Sequence, residues 1–334
     1  MKNNSTAHLD TIDGATLMAQ PRVPIPFIVR DLIPNGLHIL SGAPKIGKSF
    51  LVLWLCQQVA LGEAVWSFAT ERKTVLYLAL EDSRNRIHNR LCDITEDSSP
   101  NIFFATELKP IGDGLETQIE NFVAAHSDTG LVVIDTLQKV RRVTNENAYG
   151  ADYRDLGALK SLANKLGIAI LLVHHTRKQP DENPMNTISG TTGITGAVDG
   201  AFVLIRDTHS PSNAVLHCSG RDIESRELEL RFDRYTCVWE LVRDRTDATE
   251  VRSDTISVVC GYMNEQKFFR GTPAELADAL AAHSGTVTPA NVISKRLNKH
   301  TADLQSIGIT CRMLKVNGAR IVELTAQGDD GGGS

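Results

Sequence analysis

The sequence lacks the features that mark a membrane protein, a secreted protein or a small metal-stapled domain. Its six cysteines stand singly and form no CxxC pair, which argues against a zinc site and a disulfide framework. No apolar run approaches the ~18–20 residues that a membrane-spanning helix needs. The opening residues, MKNNSTAHLDTIDG, lack the basic and then apolar layout of a signal peptide. We therefore expect a protein of the reducing cytoplasm with no membrane partner.

The chain also has fewer basic residues than acidic ones. The chain has 35 Lys and Arg residues against 40 Asp and Glu residues, which gives a net charge of −5. Any contact with nucleic acid must therefore come from local basic patches rather than from overall charge. The 334 residues are 42% hydrophobic and 22% charged, which is ordinary for a globular protein and long enough for two domains.

Residues 27–245 alternate apolar, strand-like runs with helical patterns. Several of the apolar runs are nearly continuous, as buried parallel strands require, and the alternation predicts a mostly parallel α/β sheet with right-handed crossovers. Three later strands follow at short spacing and predict an antiparallel extension of that sheet. The predicted parallel strands are 37–42, 74–81, 101–107, 131–136, 168–175 and 201–207, and the predicted helices are 48–61, 83–94, 115–126 and 151–166.

The rest of the chain divides into four segments. Residues 1–26 are polar and then proline-spaced, which predicts a mobile lead-in or a strap on a neighbour. Residues 246–254 are polar and predict a linker. Residues 255–326 combine helical patterns with a hairpin around Asn317-Gly318, which predicts a small winged-helix-like domain. The low-complexity tail, 327–334, is expected to be disordered.

A phosphate-binding loop is the strongest motif. GAPKIGKS, residues 42–49, fits the pattern G-x-x-x-x-G-K-[ST], follows an apolar strand and opens a helix. Its backbone amides and the helix N-terminus suit phosphate, while Lys48 would reach the β- and γ-phosphates and Ser49 would bind Mg²⁺. The alternative is that the pattern arises by chance in an ordinary loop. The predicted ATP-binding residues are Gly42, Ala43, Pro44, Lys45, Ile46, Gly47, Lys48, Ser49 and Phe50.

Two carboxylates at strand ends complete the predicted site. Asp135 closes the apolar run LVVID and is the second Mg²⁺ ligand; otherwise it caps a strand end. In many such ATPases the water-activating glutamate follows this aspartate directly, but here the next residue is Thr136. The base must come from elsewhere, and Glu81, which ends the first strand after the phosphate loop, is favoured. The alternative for Glu81 and Asp82 is capping of the following helix.

With these motifs in order, the chain resembles RecA-fold ATPases of the replicative-helicase branch. It is similar to the hexameric DnaB type, and most similar to plasmid RepA-like helicases and related P-loop ATPases of mobile elements. The resemblance covers about residues 25–240 and is carried by GAPKIGKS, LALED, LVVIDT, LLVHHTRK and SGTTGITGAVDGAFVLI. It implies a RecA-like core, ATP and Mg²⁺ as ligands, and assembly into a ring, expected to be a hexamer.

The resemblance implies two further site residues. His175 stands where the family places a polar residue that senses the γ-phosphate, although two strand-end histidines are more often ordinary polar residues. Arg221 matches an arginine that enters the neighbouring subunit's ATP site. Two residues earlier, where the family often has a lysine, this chain has Ser219. Arg221 would therefore be the single basic residue, or arginine finger, that enters the neighbouring site. The alternative for Arg221 is a surface ion pair with Asp222 or Glu224.

Two loops, the first opened by residues 139–142 and the second running from 177 to 196, and one domain supply candidate nucleic-acid contacts. In a RecA-like ring the loops would face a central channel, and their cations suit sequence-independent contacts with the phosphate backbone. Segment 267–320 has eight basic residues against three acidic ones, which suits a winged helix on DNA, although such domains also dock proteins. The candidate residues are Arg141, Arg142, Arg177, Lys178, Lys295, Arg296 and Lys299.

We therefore expect an ATP-dependent helicase or translocase on single-stranded DNA, in replication of a plasmid, phage or mobile element, with a primase or initiator protein as partner. One alternative is a DNA-binding ATPase of the recombinase or loader kind that does not unwind. Another is a regulatory DNA-binding protein whose ATP only locks an oligomer.

Overall fold

A computed structural model describes residues 11–20, 24–141, 148–177, 179, 181–190, 192–207, 210–245, 247–316 and 318–326. The chain forms two compact units, Met1–Asp244 and Arg245–Ser334. Among the described residues, none of the helices combines the length and the apolar character needed to cross a bilayer.

The first unit alternates strands and helices along most of its length. Its strands are β1 (Phe27–Val29), β2 (Ile33–Pro34), β3 (Gly36–Gly42), β4 (Thr74–Ala79), β5 (Ile102–Ala105), β6 (Thr129–Asp135), β7 (Ala169–His175), β8 (Gly200–Arg206), β9 (Asn213–Gly220), β10 (Arg226–Asp233) and β11 (Val238–Arg245). Its helices are α1 (Gly14–Ala19), α2 (Lys48–Leu61), α3 (Arg84–Ile94), α4 (Leu115–Ala125), α5 (Leu137–Val140), α6 (Ala148–Leu166) and α7 (Thr192–Ala197), with a 3₁₀ turn at Pro184–Thr187.

A large sheet forms the centre of this unit. Over the described residues its strand order is β11-β10-β9-β8-β3-β7-β6-β4-β5. Strands β5, β4, β6, β7, β3 and β8 pair in parallel, and β9 and β10 extend the sheet antiparallel. The mostly parallel α/β fold predicted from the sequence is therefore confirmed.

The parallel strands are mostly apolar because both faces of the sheet are covered. In β4, Val75, Tyr77 and Ala79 pack into one hydrophobic cluster, and Leu76 and Leu78 pack into the cluster on the opposite face. Successive side chains of a strand point to opposite faces, so a strand with two buried faces is apolar at most positions rather than at alternate ones.

The register of the central strands brings their carboxyl ends together. Gly42 of β3 pairs with His175 of β7, and Asp135 of β6 pairs with both Val173 of β7 and Ala79 of β4. The phosphate loop, the end of β6 and the end of β4 therefore meet at one edge of the sheet.

The second unit contains α8 (Asp247–Gln266), β12 (Phe268–Gly271), α9 (Pro273–Ser284), α10 (Ala290–Lys299), α11 (Thr301–Ser306), β13 (Ile309–Val316) and β14 (Ala319–Ala326). Its three strands pair antiparallel in the order β12-β14-β13. The hairpin predicted around Asn317-Gly318 is confirmed by the pairing of Val316 with Ala319. The winged-helix assignment of this unit stays a prediction.

Two of the predicted segments, the linker and the lead-in, contain helix that the sequence did not predict. The segment predicted as a linker, 246–254, is helical from Asp247 onward, because it is polar but contains no glycine or proline to break a helix. The lead-in contains α1, which Asp13 caps by accepting hydrogen bonds from the amides of Ala15 and Thr16. The predicted disordered tail, 327–334, lies outside the described residues.

Candidate active site

The phosphate loop needs glycine at both ends. Gly47, the N-cap of α2, has φ of 104°, and a Cβ there would come within 3.0 Å of the Trp239 indole nitrogen. A Cβ on Gly42 would lie 3.0 Å from the Leu204 carbonyl oxygen. Between them Ile46 is buried, whereas Ala43, Pro44 and Lys45 are exposed. The loop is thus anchored at one residue and open to a ligand along the rest.

Lys48 lies under the loop rather than in solvent. It is 6% exposed, and its Nζ donates to the carbonyl oxygens of Gly42 at 2.8 Å and Ala43 at 3.1 Å. Burial lowers the pKa of the Lys48 ammonium, while the carboxylates of Asp135 and Glu81 act in the opposite direction. A buried cation whose shortest contacts are two carbonyl oxygens is well prepared to meet phosphate oxygens.

Asp135 and Ser49 form the oxygen pair that the sequence predicted as metal ligands. The Asp135 carboxylate is 6% exposed, accepts a hydrogen bond from the Ser49 hydroxyl, and accepts another from the Tyr77 hydroxyl at 2.7 Å. Burial raises the pKa of Asp135, and these two hydrogen bonds act against that rise. A carboxylate beside a hydroxyl is a donor set of the kind Mg²⁺ prefers, so these residues fit the cation.

Glu81 faces the same edge of the sheet and has a partner there. It is exposed, and its Oε1 accepts a hydrogen bond from the Thr136 hydroxyl at 3.0 Å. In many such ATPases the position after the aspartate holds the catalytic glutamate, and here it holds Thr136. Thr136 therefore binds and orients Glu81, the carboxylate that the sequence predicted as the base instead. Sequence reasoning did not predict this contact.

The capping alternative for Glu81 and Asp82 is wrong. The N-cap of α3 is Ser83, whose hydroxyl accepts from the amide of Arg86. Asp82 instead pairs with the guanidinium groups of Arg86, at 3.1 Å, and Arg90. A serine at this position can cap the helix through its side-chain oxygen, which leaves Glu81 free to face the phosphate loop.

The two histidines at the end of β7 have different surroundings. His175 lies beside the phosphate loop, with its Nδ1 3.5 Å from Lys48 Nζ. His174 is 5% exposed, and its Nε2 donates to the Ser189 carbonyl oxygen at 2.9 Å. Burial lowers the pKa of His174, mainly by desolvation, so its ring is neutral at pH 7. The alternation of strand neighbours puts only His175 at the phosphates.

Arg221 lies away from this chain's own phosphate loop. Its side chain is 60% exposed, donates to the Gly196 carbonyl oxygen at 3.3 Å and approaches Asp199 Oδ1 at 3.6 Å. It follows β9 where Gly220 pairs with Gly200, and Gly200 in turn pairs with His38, four residues before Gly42. At about 3.3 Å per residue, this separation is about 13 Å along the strands. The ion pair that forms is with Asp199, and the alternative partners Asp222 and Glu224 were wrong.

Asp199 is a partner that the sequence did not reveal. Its Oδ1 accepts from Lys160 Nζ at 2.6 Å, and its Oδ2 accepts from the Leu37 amide at 3.1 Å. Burial raises the pKa of Asp199, but the hydrogen bonds from Lys160 and Leu37 outweigh it and lower the pKa overall. The exposed Arg221 side chain thus contacts a carboxylate that is itself fixed by Lys160 and by the backbone of β3.

The predicted nucleic-acid residues differ in their exposure and in their ion pairs. Arg141 is mostly buried and pairs with Asp152 at 2.9 Å, which disfavours a role in gripping DNA. Arg177 is 45% exposed and pairs with Asp181 at 2.9 Å. Arg142 and Lys178 lie outside the described residues. The remaining candidates, all in α10, are Lys295, Arg296 and Lys299.

Aromatic and basic side chains surround the loop, and the sequence did not single out Trp239 or Arg206 among them. Trp239 of β11 donates to the Gly47 carbonyl oxygen at 3.3 Å and packs on Phe232. Phe50, predicted at the nucleotide, lies under the Arg90 guanidinium. Arg206 donates to the Ile46 carbonyl oxygen at 3.3 Å. A pocket of about 430 Å³ opens beside Ala43 and Pro44 and is also lined by Thr176, Arg177 and Arg206.

Comparisons with known proteins agree with this geometry. A model of the AAA domain family (AAA_25) matches residues 4–181, more than half of the chain. The DNA repair protein RadA of Streptococcus pyogenes serotype M6 is 27% identical over 184 residues, which cover 53% of this chain and 35% of RadA. RadA of Campylobacter jejuni is 25% identical over 151 residues, covering 44% of this chain and 30% of RadA. The chain thus spans about a third of these relatives.

Two solved structures share the fold. One is an isolated ATPase domain, with a TM-score of 0.53 and 13% identity, covering 63% of this chain and 85% of that domain. The other is a DnaB-like replicative helicase described with its interactions with primase, with a TM-score of 0.52 and 12% identity, covering 64% of this chain and 59% of the helicase. At such identities the likeness concerns the fold alone.

The family match implies nucleotide binding, usually with Mg²⁺, and the loop, the buried lysine and the strand-end carboxylates supply the matching chemistry. The chain belongs to the AAA domain family, and its fold is that of RecA-like P-loop ATPase domains.

Proposed function

We propose that the chain hydrolyses ATP to move along single-stranded DNA as one subunit of a ring, expected to be a hexamer. Its work would be helicase action in the replication of a plasmid, phage or other mobile element, in the cytoplasm. The proposal is carried by one observation: β7 joins the phosphate edge directly to the second predicted DNA loop.

That connection consists of short contacts. The side chain of His175 faces Lys48, while its backbone carbonyl accepts from the Ser189 amide at 3.1 Å. One residue earlier, the His174 ring donates to the Ser189 carbonyl. The loop that leaves β7 at Arg177 therefore returns to it at Ser189. A change in His175 on ATP turnover would move the base of this loop, as a translocating motor requires.

The geometry supports the following roles for the site residues. Lys48 binds the phosphates and balances their charge, and Ser49 and Asp135 hold Mg²⁺, which would neutralise charge on the β- and γ-phosphates. Glu81, oriented by Thr136, takes the proton from the attacking water. Arg221 is too far from its own phosphate loop to act there, which supports a role in the site of a neighbouring subunit.

The second unit is proposed as a winged helix that contacts DNA. Its segment 267–320 carries the excess of basic residues, and Lys295 on α10 is exposed. The element order α8-β12-α9-α10-α11, followed by the β13-β14 hairpin, supports the winged-helix assignment. A primase or initiator protein is the expected partner, since the DnaB-like helicase of similar fold is described with primase.

Strand displacement on a forked DNA substrate tests the function. We expect unwinding that needs ATP and Mg²⁺, and none from the Lys48→Ala variant, because that change removes the cation from the phosphate loop. Hydrolysis stimulated by single-stranded DNA without any strand displacement would contradict helicase action.

That contrary outcome defines the second candidate, a DNA-binding ATPase that does not unwind. It is favoured by the sequence relatives, which are DNA repair proteins rather than replicative helicases. Tight binding to one duplex sequence with negligible turnover would instead identify an ATP-gated regulator.

A further inference from the structure

A buried tyrosine contacts the predicted metal ligand from the neighbouring strand. Tyr77 of β4 is 3% exposed, and its ring packs on Phe104 with centroids 5.8 Å apart. Its hydroxyl donates to Asp135 Oδ2 at 2.7 Å. A buried tyrosine needs a partner for its polar tip, and here that partner is a carboxylate of the active site.

The sheet register explains how the contact is made. Asp135 pairs with Ala79, two residues after Tyr77, so both side chains lie on the same face of the sheet. Two residues of strand span about 6.6 Å, an offset that a tyrosine side chain can cross and a serine or threonine cannot. The contact therefore depends on this residue type at this position.

The hydrogen bond constrains the carboxylate. One oxygen of Asp135 is committed to Tyr77, which fixes the rotation of the group within a site that is 6% exposed. The Ser49 hydroxyl meets the same carboxylate from the start of α2. Partners that orient a metal ligand in this way typically contribute 10–100-fold to metal affinity or activity.

We propose that Tyr77 is a positioning residue for magnesium: it orients Asp135 toward the cation that Asp135 shares with Ser49. This inference rests on the proposed assignment of Asp135 and Ser49 as metal ligands. Tyr77 also links β4, which ends two residues before Glu81, to β6, which ends at Asp135, so the base and the metal site keep one spacing.

The test measures binding rather than turnover. A fluorescent, non-hydrolysable ATP analogue is titrated with the full chain, first in EDTA and then at increasing Mg²⁺. For Tyr77→Phe we expect metal-free affinity close to wild type and a roughly tenfold higher Mg²⁺ concentration for half-maximal enhancement. Tyr235→Phe is the matched control, because it deletes the same atom from a ring that is 97% exposed.

Each outcome has a distinct meaning. An unchanged Mg²⁺ requirement in Tyr77→Phe, or an equal loss of affinity with and without Mg²⁺, would overturn the positioning role. Asp135→Asn separates this from failure of the site assignment itself. If Asp135→Asn also leaves the Mg²⁺ requirement unchanged, Asp135 is not a metal ligand; if it alone raises the requirement, only the role of Tyr77 fails.

Discussion

At the scale of single residues, the adjacent carboxylates of Glu81 and Asp82 have different partners and are therefore suited to different roles. Glu81 is exposed and oriented by Thr136, whereas Asp82 is held by two arginines of α3. Only Glu81 is therefore both directed at the phosphate edge and free of a charged partner in the contacts described. The structure thus gives a physical basis for the preference for Glu81 over Asp82 that the sequence indicated.

Glu81→Gln should keep ATP binding and lose hydrolysis by about 10²–10⁴-fold, because an amide cannot accept the proton from water. Asp82→Asn, the matched control, should change turnover little. Steady-state phosphate release and analogue binding, measured on both variants, check this. The reverse ranking of the two variants would transfer the role of base to Asp82.

At the scale of elements, burial on both faces made the parallel strands predictable. The near-continuous apolar runs and the turn signals between them suffice for β3, β4, β6, β7 and β8. The three-residue strand β1 and the two-residue strand β2 carry no such pattern, and α5 is a single turn. The site was predictable where a motif fixes it, as at Lys48. It was not predictable at Tyr77, Asp199 or Arg141, because their partners lie on other elements and sequence spacing does not report such pairs.

The contact between β7 and the second loop gives a prediction at this scale. His174→Phe leaves the Ser189 carbonyl without its donor, so the loop should lose its fixed base. We expect basal hydrolysis to stay within about twofold of wild type and stimulation by single-stranded DNA to fall several-fold, with a stability cost of about 1–3 kcal/mol. His174→Gln restores a donor and should recover much of the stimulation. Equal stimulation in all three proteins would show that this contact does not couple the loop to ATP.

At the scale of the whole molecule, the residues of the candidate ATPase site all belong to the first unit. A chain ending at Asp244 should therefore fold and keep basal hydrolysis, since the residues that contact Lys48, Asp135 and Glu81 all precede that point. Its binding to duplex DNA should weaken and depend less steeply on salt, because the basic segment 267–320 is gone. DNA binding equal to that of the full chain would make the second unit a protein-docking module.

The assignment of Arg221 decides whether the site is complete in one chain. Its guanidinium is exposed, anchored by Asp199 and Gly196, and at the opposite end of the strands from its own phosphate loop. An arginine supplied to a neighbour stabilises charge on the transferred phosphoryl group and is worth roughly 10³–10⁵ in rate. Because Ser219 replaces the second cation, Arg221→Ala should remove most of the activity.

Subunit mixing separates this role from a local defect. Arg221→Ala subunits keep an intact phosphate loop, and Lys48→Ala subunits keep an intact finger. In a mixed ring some interfaces pair a good loop with a good finger, which neither variant can form alone, so hydrolysis should reappear on mixing. Size measurements with a non-hydrolysable ATP analogue establish that the two proteins assemble together. If they do and the mixture stays as inactive as each parent, Arg221 does not act across an interface, and the reason for expecting an ATP site shared between subunits is lost.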